Sequence, residues 1–187
     1  EEIGQYGGAW RRFFIGPADG SNWARILRQG LLTWDKSNTK VIPQVAKGWE
    51  ISQDLKTYTF ILRKGMKWSD GKPFTTEDIM FWWNDQALNK EMNPNPPDQM
   101  VVGGKVGKVE KIDDYSFKMV FESPYPLILD WLAGAGIGEI YVPKHYVSQF
   151  HINYAKDKDA LQKMATDAKF DKWFQLYNVK NSLEQNP

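Results

Sequence analysis

Residues 54–84 read Asp-Leu-Lys-Thr-Tyr-Thr-Phe-Ile-Leu-Arg-Lys-Gly-Met-Lys-Trp-Ser-Asp-Gly-Lys-Pro-Phe-Thr-Thr-Glu-Asp-Ile-Met-Phe-Trp-Trp-Asn, and this stretch decides the fold. From Thr57 to Arg63 the residues alternate. Tyr58, Phe60 and Leu62 fall on one side and Thr57, Thr59, Ile61 and Arg63 on the other, the period-two pattern of a half-buried strand. Ser69-Asp70-Gly71-Lys72 is then a turn, because Asp-Gly supplies residues that tolerate positive φ. After it the period changes. Thr75 stands three residues before Asp78, so its hydroxyl can accept from an early helical N–H, while Glu77 and Asp78 suit the positive end of a helix dipole. Ile79, Trp82, Trp83 and Ala87 form the predicted buried face of that helix.

Outward from this core, Val106–Ile112 and Tyr115–Phe121 predict a hairpin turning at Asp113-Asp114, with Tyr115, Phe117, Met119 and Phe121 on one face. Asn93-Pro94-Asn95-Pro96-Pro97 cannot continue a helix and reads as a loop. Residues 9–15 read as a strand, 16–21 as a turn-rich loop, and Trp23, Ile26, Leu27 and Leu31 as one face of a short helix capped by Ser21 or Asn22. Beyond the hairpin, 126–132 reads as helix, Gly134, Gly136 and Gly138 break it, and 139–142 reads as a short strand. The segment 160–176 reads as a helical pair, with Leu161, Met164, Ala165 and Ala168 on one face and Phe170, Trp173, Phe174 and Tyr177 on another. Strands in neighbouring runs with helices around them predict an α+β fold, a mixed or antiparallel sheet with flanking helices.

Composition narrows the function. The chain has 187 residues, 42% hydrophobic and 25% charged, as expected of a folded globular chain. Its 24 basic residues against 23 acidic ones leave no basic excess, which disfavours nucleic acid as a partner. Without cysteine there is no disulfide framework, thiol nucleophile or Cys-based zinc site. No run approaches the ~18 apolar residues of a membrane span. The chain opens at Glu1-Glu2 without a basic and apolar leader, the expectation for a cytosolic protein or for a mature exported one. Aromatic content is 14% with nine Trp, which is either a surface for stacking flat ligands or a core of large side chains.

The search for catalytic chemistry returns little. His145 and His151 are six apart, so they offer no i,i+4 zinc pair, and no metal or cofactor is expected. A phosphate-binding glycine loop is absent, and Glu139 follows Gly138 where a dinucleotide fingerprint would need spacing to a third glycine. No Gly-x-Ser-x-Gly occurs. The acid pairs Glu77-Asp78 and Asp113-Asp114 fall where a helix start and a turn already want acids. The chain is therefore expected not to be an enzyme.

The stretch from Pro43 to Asn84 resembles the signature region of the family 5 extracellular solute-binding proteins, the peptide, nickel and oligosaccharide receptors of bacterial ABC importers. Pro43, Ala46, Trp49, Asp54, Tyr58, Thr59, Phe60, Leu62, Arg63, Gly65, Trp68, Asp70, Gly71, Pro73, Thr75, Asp78 and Phe81 stand in the family's order. Leu55 stands where the family usually has glycine. The likeness continues through Val109–Phe117, Pro124-Tyr125-Pro126-Leu127 and Ile140–Tyr146, so it covers nearly all of the chain.

The resemblance implies part of lobe one of a two-lobed periplasmic-binding-protein type II fold. Residues 1–35 would begin lobe one, 36–150 would form the family-specific N-terminal subdomain and return to lobe one, and 151–187 would be a helical segment. The second lobe would be absent, making the chain an N-terminal fragment. The implied function is capture of an oligopeptide or oligosaccharide and its delivery to the ABC permease transmembrane subunits, at a periplasmic or cell-surface location, with a lipid anchor on the full-length protein compatible with that. The nine Trp tilt the ligand toward sugars. If the pocket lies between lobes, the wall on this chain is the loop carrying Gly16, Asp19, Asn22 and Trp23, together with the glycine-rich return at Gly136. A free-standing carbohydrate-binding module and a hydrolase are the competing expectations.

Overall fold

The computed structural model describes residues 29–134 and 140–182. Its centre is a four-stranded antiparallel sheet in the order β3-β4-β8-β7, built from β3 (Ala46–Ile51), β4 (Thr57–Leu62), β7 (Lys108–Asp113) and β8 (Ser116–Val120). Alternation in β4 does what its pattern requires: Tyr58, Phe60 and Leu62 are fully buried and Ile61 is exposed. Phe60 sits opposite Trp49 on one side and Phe117 on the other, and its ring stacks on that of Phe117 at 5.3 Å. Tyr58 lies opposite Met119 in the same way. The other face carries the row Glu50, Thr59, Lys118 and Glu110, with Lys118 paired to Glu110 at 3.0 Å. One face packs and one is polar, the usual arrangement of an antiparallel sheet. Both edge strands slip register once, β3 between Ala46 and Gly48 and β7 between Lys111 and Asp113.

The β3–β4 hairpin turns at Ser52–Leu55, where the Leu55 N–H donates to the Ser52 carbonyl and Leu55 takes φ of +55°. That conformation is natural to glycine and strained for leucine. Smaller pieces lie to the sides. A hairpin of β1 (Leu32–Trp34) and β2 (Val41–Pro43) packs under the helix α2 (Ile128–Ala133), and β5 (Val101–Val102) pairs with β6 (Lys105–Val106). At Gly107, between β6 and β7, a Cβ would lie 2.6 Å from the Phe121 ring, so only glycine lets the strand pass.

Helix α1 (Thr76–Phe81) lies on the packed face of the sheet and continues as a π-helical turn over Trp82–Ala87. Thr75 caps it, and the capping box with Asp78 is complete. Ile79, Trp82, Trp83 and Ala87 are buried as their spacing predicts. The chain ends its described course in α3 (Lys144–Val147), α4 (Lys158–Asp167) and α5 (Trp173–Lys180).

Three expectations need correction. Residues 140–142 form no strand; the Val142 N–H donates to the Asp78 carbonyl of α1, so its donor is taken by a helix rather than by a ladder. Helix α4 buries Leu161 and Ala165 but leaves Met164 and Ala168 exposed, because a four-residue repeat gives only a narrow contact stripe. Leu31 opens the β1 hairpin instead of closing a helix, since the Gln44 and Ala46 N–H groups both donate to its carbonyl. The strand expected at 9–15, the loop at 16–21 and the helix face at Trp23, Ile26 and Leu27 lie outside the described residues.

Candidate functional site

The five residues expected at a ligand, Gly16, Asp19, Asn22, Trp23 and Gly136, all lie outside the described residues. The polar groups that the structure does bring together form two junctions, one at each end of α1 and its π-helical extension.

At the N-terminal junction the acid pair Glu77-Asp78 is fully committed to its own chain. Glu77 Oε1 accepts from Lys111 Nζ at 2.8 Å and Oε2 from Lys144 Nζ at 2.5 Å, so one carboxylate ties β7 and α3 to the helix start. Lys111 reaches Asp114 as well, at 2.7 Å. The Lys111 and Lys144 hydrogen bonds hold the Glu77 carboxyl down at about 2. Asp78 is buried; its two oxygens accept the Thr75 and Lys144 backbone N–H groups, each at 3.0 Å. Burial pushes its pKa up and those hydrogen bonds oppose it. The second acid pair is used similarly: Asp113 Oδ1 accepts from the Tyr115 N–H, and the Asp113 carbonyl from the Thr76 hydroxyl at 2.6 Å. His145 pairs with Asp70 at 2.7 Å, fixing α3 to the Gly71 turn. Four acids in two sequence pairs therefore cement the subdomain, and neither pair is placed as a general acid and base across a cleft.

At the other end the imidazole of His151 is wholly buried. It hydrogen-bonds the Asp85 carbonyl, 2.9 Å away, at the end of the π-helical turn. This cluster escaped the sequence reading because its members are more than 60 residues apart. Among the described residues no group of three or more His, Asp or Glu could hold a metal ion, and no helix is long and apolar enough to cross a membrane. An open hollow of about 550 Å³ on the outward sheet face is lined by Lys47, Ile61, Lys64, Asp113, Asp114 and Tyr115, none of them expected at a site.

The seven Trp among the described residues are buried or half-buried, and none stands free as a stacking platform. Trp82, Trp83 and Trp173 belong to the core itself. Trp34, Trp49, Trp68 and Trp131 pack against it.

Comparison with known proteins gives this architecture its context. Residues 40–177 match the middle region of the bacterial extracellular solute-binding proteins, family 5. The chain belongs to that family. A solved family 5 structure described as oligopeptide-binding protein OppA is 39% identical and superposes with a TM-score of 0.85, covering 97% of this chain and 28% of that one. The periplasmic oligopeptide-binding protein OppA of Salmonella typhimurium is 29% identical over 180 residues, 89% of this chain and 32% of its own length. The periplasmic alpha-galactoside-binding protein of Rhizobium meliloti is 28% identical over 141 residues, 66% of this chain and 20% of its own. The chain thus spans between a fifth and a third of these family 5 relatives, which are binding proteins rather than enzymes. The α+β fold is that of the oligopeptide-binding structure.

Proposed function

We propose that this chain is part of the substrate-binding component of an ABC importer, capturing an oligopeptide outside the cytoplasm and presenting it to the permease transmembrane subunits. The 39% identity and 0.85 TM-score with an oligopeptide-binding protein carry the reading. The likeness to an alpha-galactoside-binding protein favours oligosaccharide as the second reading. In this reading residues 1–35 begin lobe one, 36–150 form the N-terminal subdomain and its return, 151–187 add a helical segment, and Gly16, Asp19, Asn22, Trp23 and Gly136 line one wall of the pocket.

Half a pocket binds weakly, because a ligand left in water on one face forfeits burial while the entropy cost of association stays. Calorimetric titration of short peptides and of raffinose-type galactosides tests this on two polypeptides, the 187-residue chain and one of the relatives' full length. The expected result is millimolar or weaker binding by the short chain and at least about a hundredfold tighter peptide binding by the long one, ~2.7 kcal/mol. Micromolar sugar binding by the short chain alone would establish a carbohydrate-binding module instead, and turnover of substrate a hydrolase.

A further inference from the structure

We propose that His151 is an acid-released clasp, which holds helix α5 against the end of the π-helical turn while its imidazole is neutral and lets the helix go when the ring takes a second proton.

The geometry fixes the ring's state. Nε2 is 2.9 Å from the Asp85 carbonyl, which can only accept, and Nδ1 is 3.3 Å from the Asn153 backbone N–H, which can only donate. The ring is therefore the neutral tautomer with its hydrogen on Nε2. Asn89 brings a second donor to the same atom: its Oδ1 already accepts from the Glu91 and Met92 N–H groups, so its amide nitrogen faces Nε2 at 3.3 Å, and the shorter 2.9 Å approach of the Asp85 carbonyl is what assigns the hydrogen to Nε2. A second proton on Nδ1 would point at the Asn153 donor with no acceptor to receive it.

Every element around the ring is accounted for. From α1 comes Phe81, uncharged, with its centroid at 5.6 Å. From α5 come Trp173 at 4.7 Å and Tyr177 at 5.7 Å, and from the ring's own loop Tyr154 at 5.7 Å. The π-helical turn and the loop after it bring two acids, Asp85 and Glu91. Both are engaged elsewhere: Asp85 Oδ2 accepts from the Tyr154 hydroxyl and Glu91 Oε2 from the Trp173 indole N–H, each at 2.7 Å. The two acids pull the His151 pKa up, but burial pushes it down further, so the net displacement is below the ordinary 6.5.

The clasp matters because of what it joins. Carbonyls at a helix end lack partners within the helix, and His151 supplies one to Asp85. Trp173 and Tyr177 of α5 pack edge-to-face against the same ring. Expelling a charged imidazole removes a hydrogen bond from one element and a packing surface from the other.

The test is hydrogen exchange by mass spectrometry on the 187-residue chain at pH 7.5 and 5.5, corrected for intrinsic rates. A group that titrates at about 6.5 when unfolded and lower when folded makes opening more favourable at pH 5.5, by at most about tenfold. Amides of residues 173–180 should lose protection at pH 5.5 while those of 57–62 keep theirs. His151→Gln, which can still donate to the Asp85 carbonyl, should abolish the pH step, and His145→Gln should leave it intact. Equal tail protection at both pH values, a step that survives in His151→Gln, or simultaneous loss in strand and tail would each overturn the proposal. Should His151→Gln not fold, NMR titration of His151 Cε1–H in the unaltered chain decides. Loss of the His151–Trp173 and His151–Tyr177 ring contacts in step with that titration supports the clasp, and contacts that persist once the ring is protonated refute it.

Discussion

The sheet and the helical tail are packed by different chemistry. Across β3, β4 and β8 the contacts are apolar pairs in register, Trp49 with Phe60, Phe60 with Phe117 and Tyr58 with Met119. Around His151 the contacts are polar at almost every ring: Trp173 donates to Glu91, Tyr177 to Gln86 and His151 to the Asp85 carbonyl inside the cluster, and Tyr154 to Asp85 at its exposed rim. Apolar burial is indifferent to proton concentration, whereas a buried hydrogen-bonded cluster is stable only while each member keeps its donor or acceptor role. The two regions share one core but respond to different conditions.

The largest expected effect breaks the apolar side. Phe60→Ala should cost about 3 to 5 kcal/mol, since a wholly buried ring loses its transfer energy and leaves a cavity. The cost should be the same at pH 5.5 and 7.5; urea melts at both would show it. A mutant within ~0.5 kcal/mol of the parent, or a strongly pH-dependent cost, would erase the contrast between the regions.

The seam between them is electrostatic, and Glu77→Gln probes it. The Glu77 side chain is about half exposed, so solvent screening limits its two ion pairs to about 1 kcal/mol together. Its folded pKa of about 2 lies below the usual 4.5, so the contribution is fully present above 4.5 and fades as pH falls toward 2. Melts in added salt should shrink the difference between parent and mutant, and a difference unchanged at pH 2 would mean that charge is not its source.

The smallest effect belongs to the hairpin tip. Leu55→Gly removes left-handed strain of about 1 to 2 kcal/mol but returns most of it as unfolded-chain entropy and lost contact, leaving a gain of about 0.5 kcal/mol. A loss of stability in thermal melts would show that the half-exposed leucine side chain contributes more than its backbone costs.

Local signals in the sequence were readable where neighbours along the chain settle the structure. The alternation of 57–63, the Thr75-x-x-Asp78 cap and the β7–β8 turn each depend on residues within a few positions; the first two stand as predicted, and the turn falls one residue later than expected, at Asp114-Tyr115, because Asp113 still pairs with Ser116. The signature stretch 43–84 also carried the family. What stayed hidden is long-range. Nothing near Glu77 announces Lys111 and Lys144, and nothing near His151 announces Asp85 or Trp173, because side chains meeting across 30 to 70 positions leave no periodicity. The lone buried histidine was visible only as a residue without a metal partner. Likewise the missing Cβ at Gly107 reads as an ordinary loop glycine until the Phe121 ring is seen against it.

The register slips in β3 and β7 bear on solubility. An open sheet edge is a template for another strand, and this sheet has two edges. Each edge strand is interrupted within six residues, at Ala46/Gly48 and at Lys111/Asp113, so neither offers the long flat row of donors and acceptors that edge-to-edge stacking of copies needs. Straightening either edge by deleting the extra residue, Lys47 or Ile112, would give that strand the unbroken row of donors and acceptors on which a second copy could add its own strand.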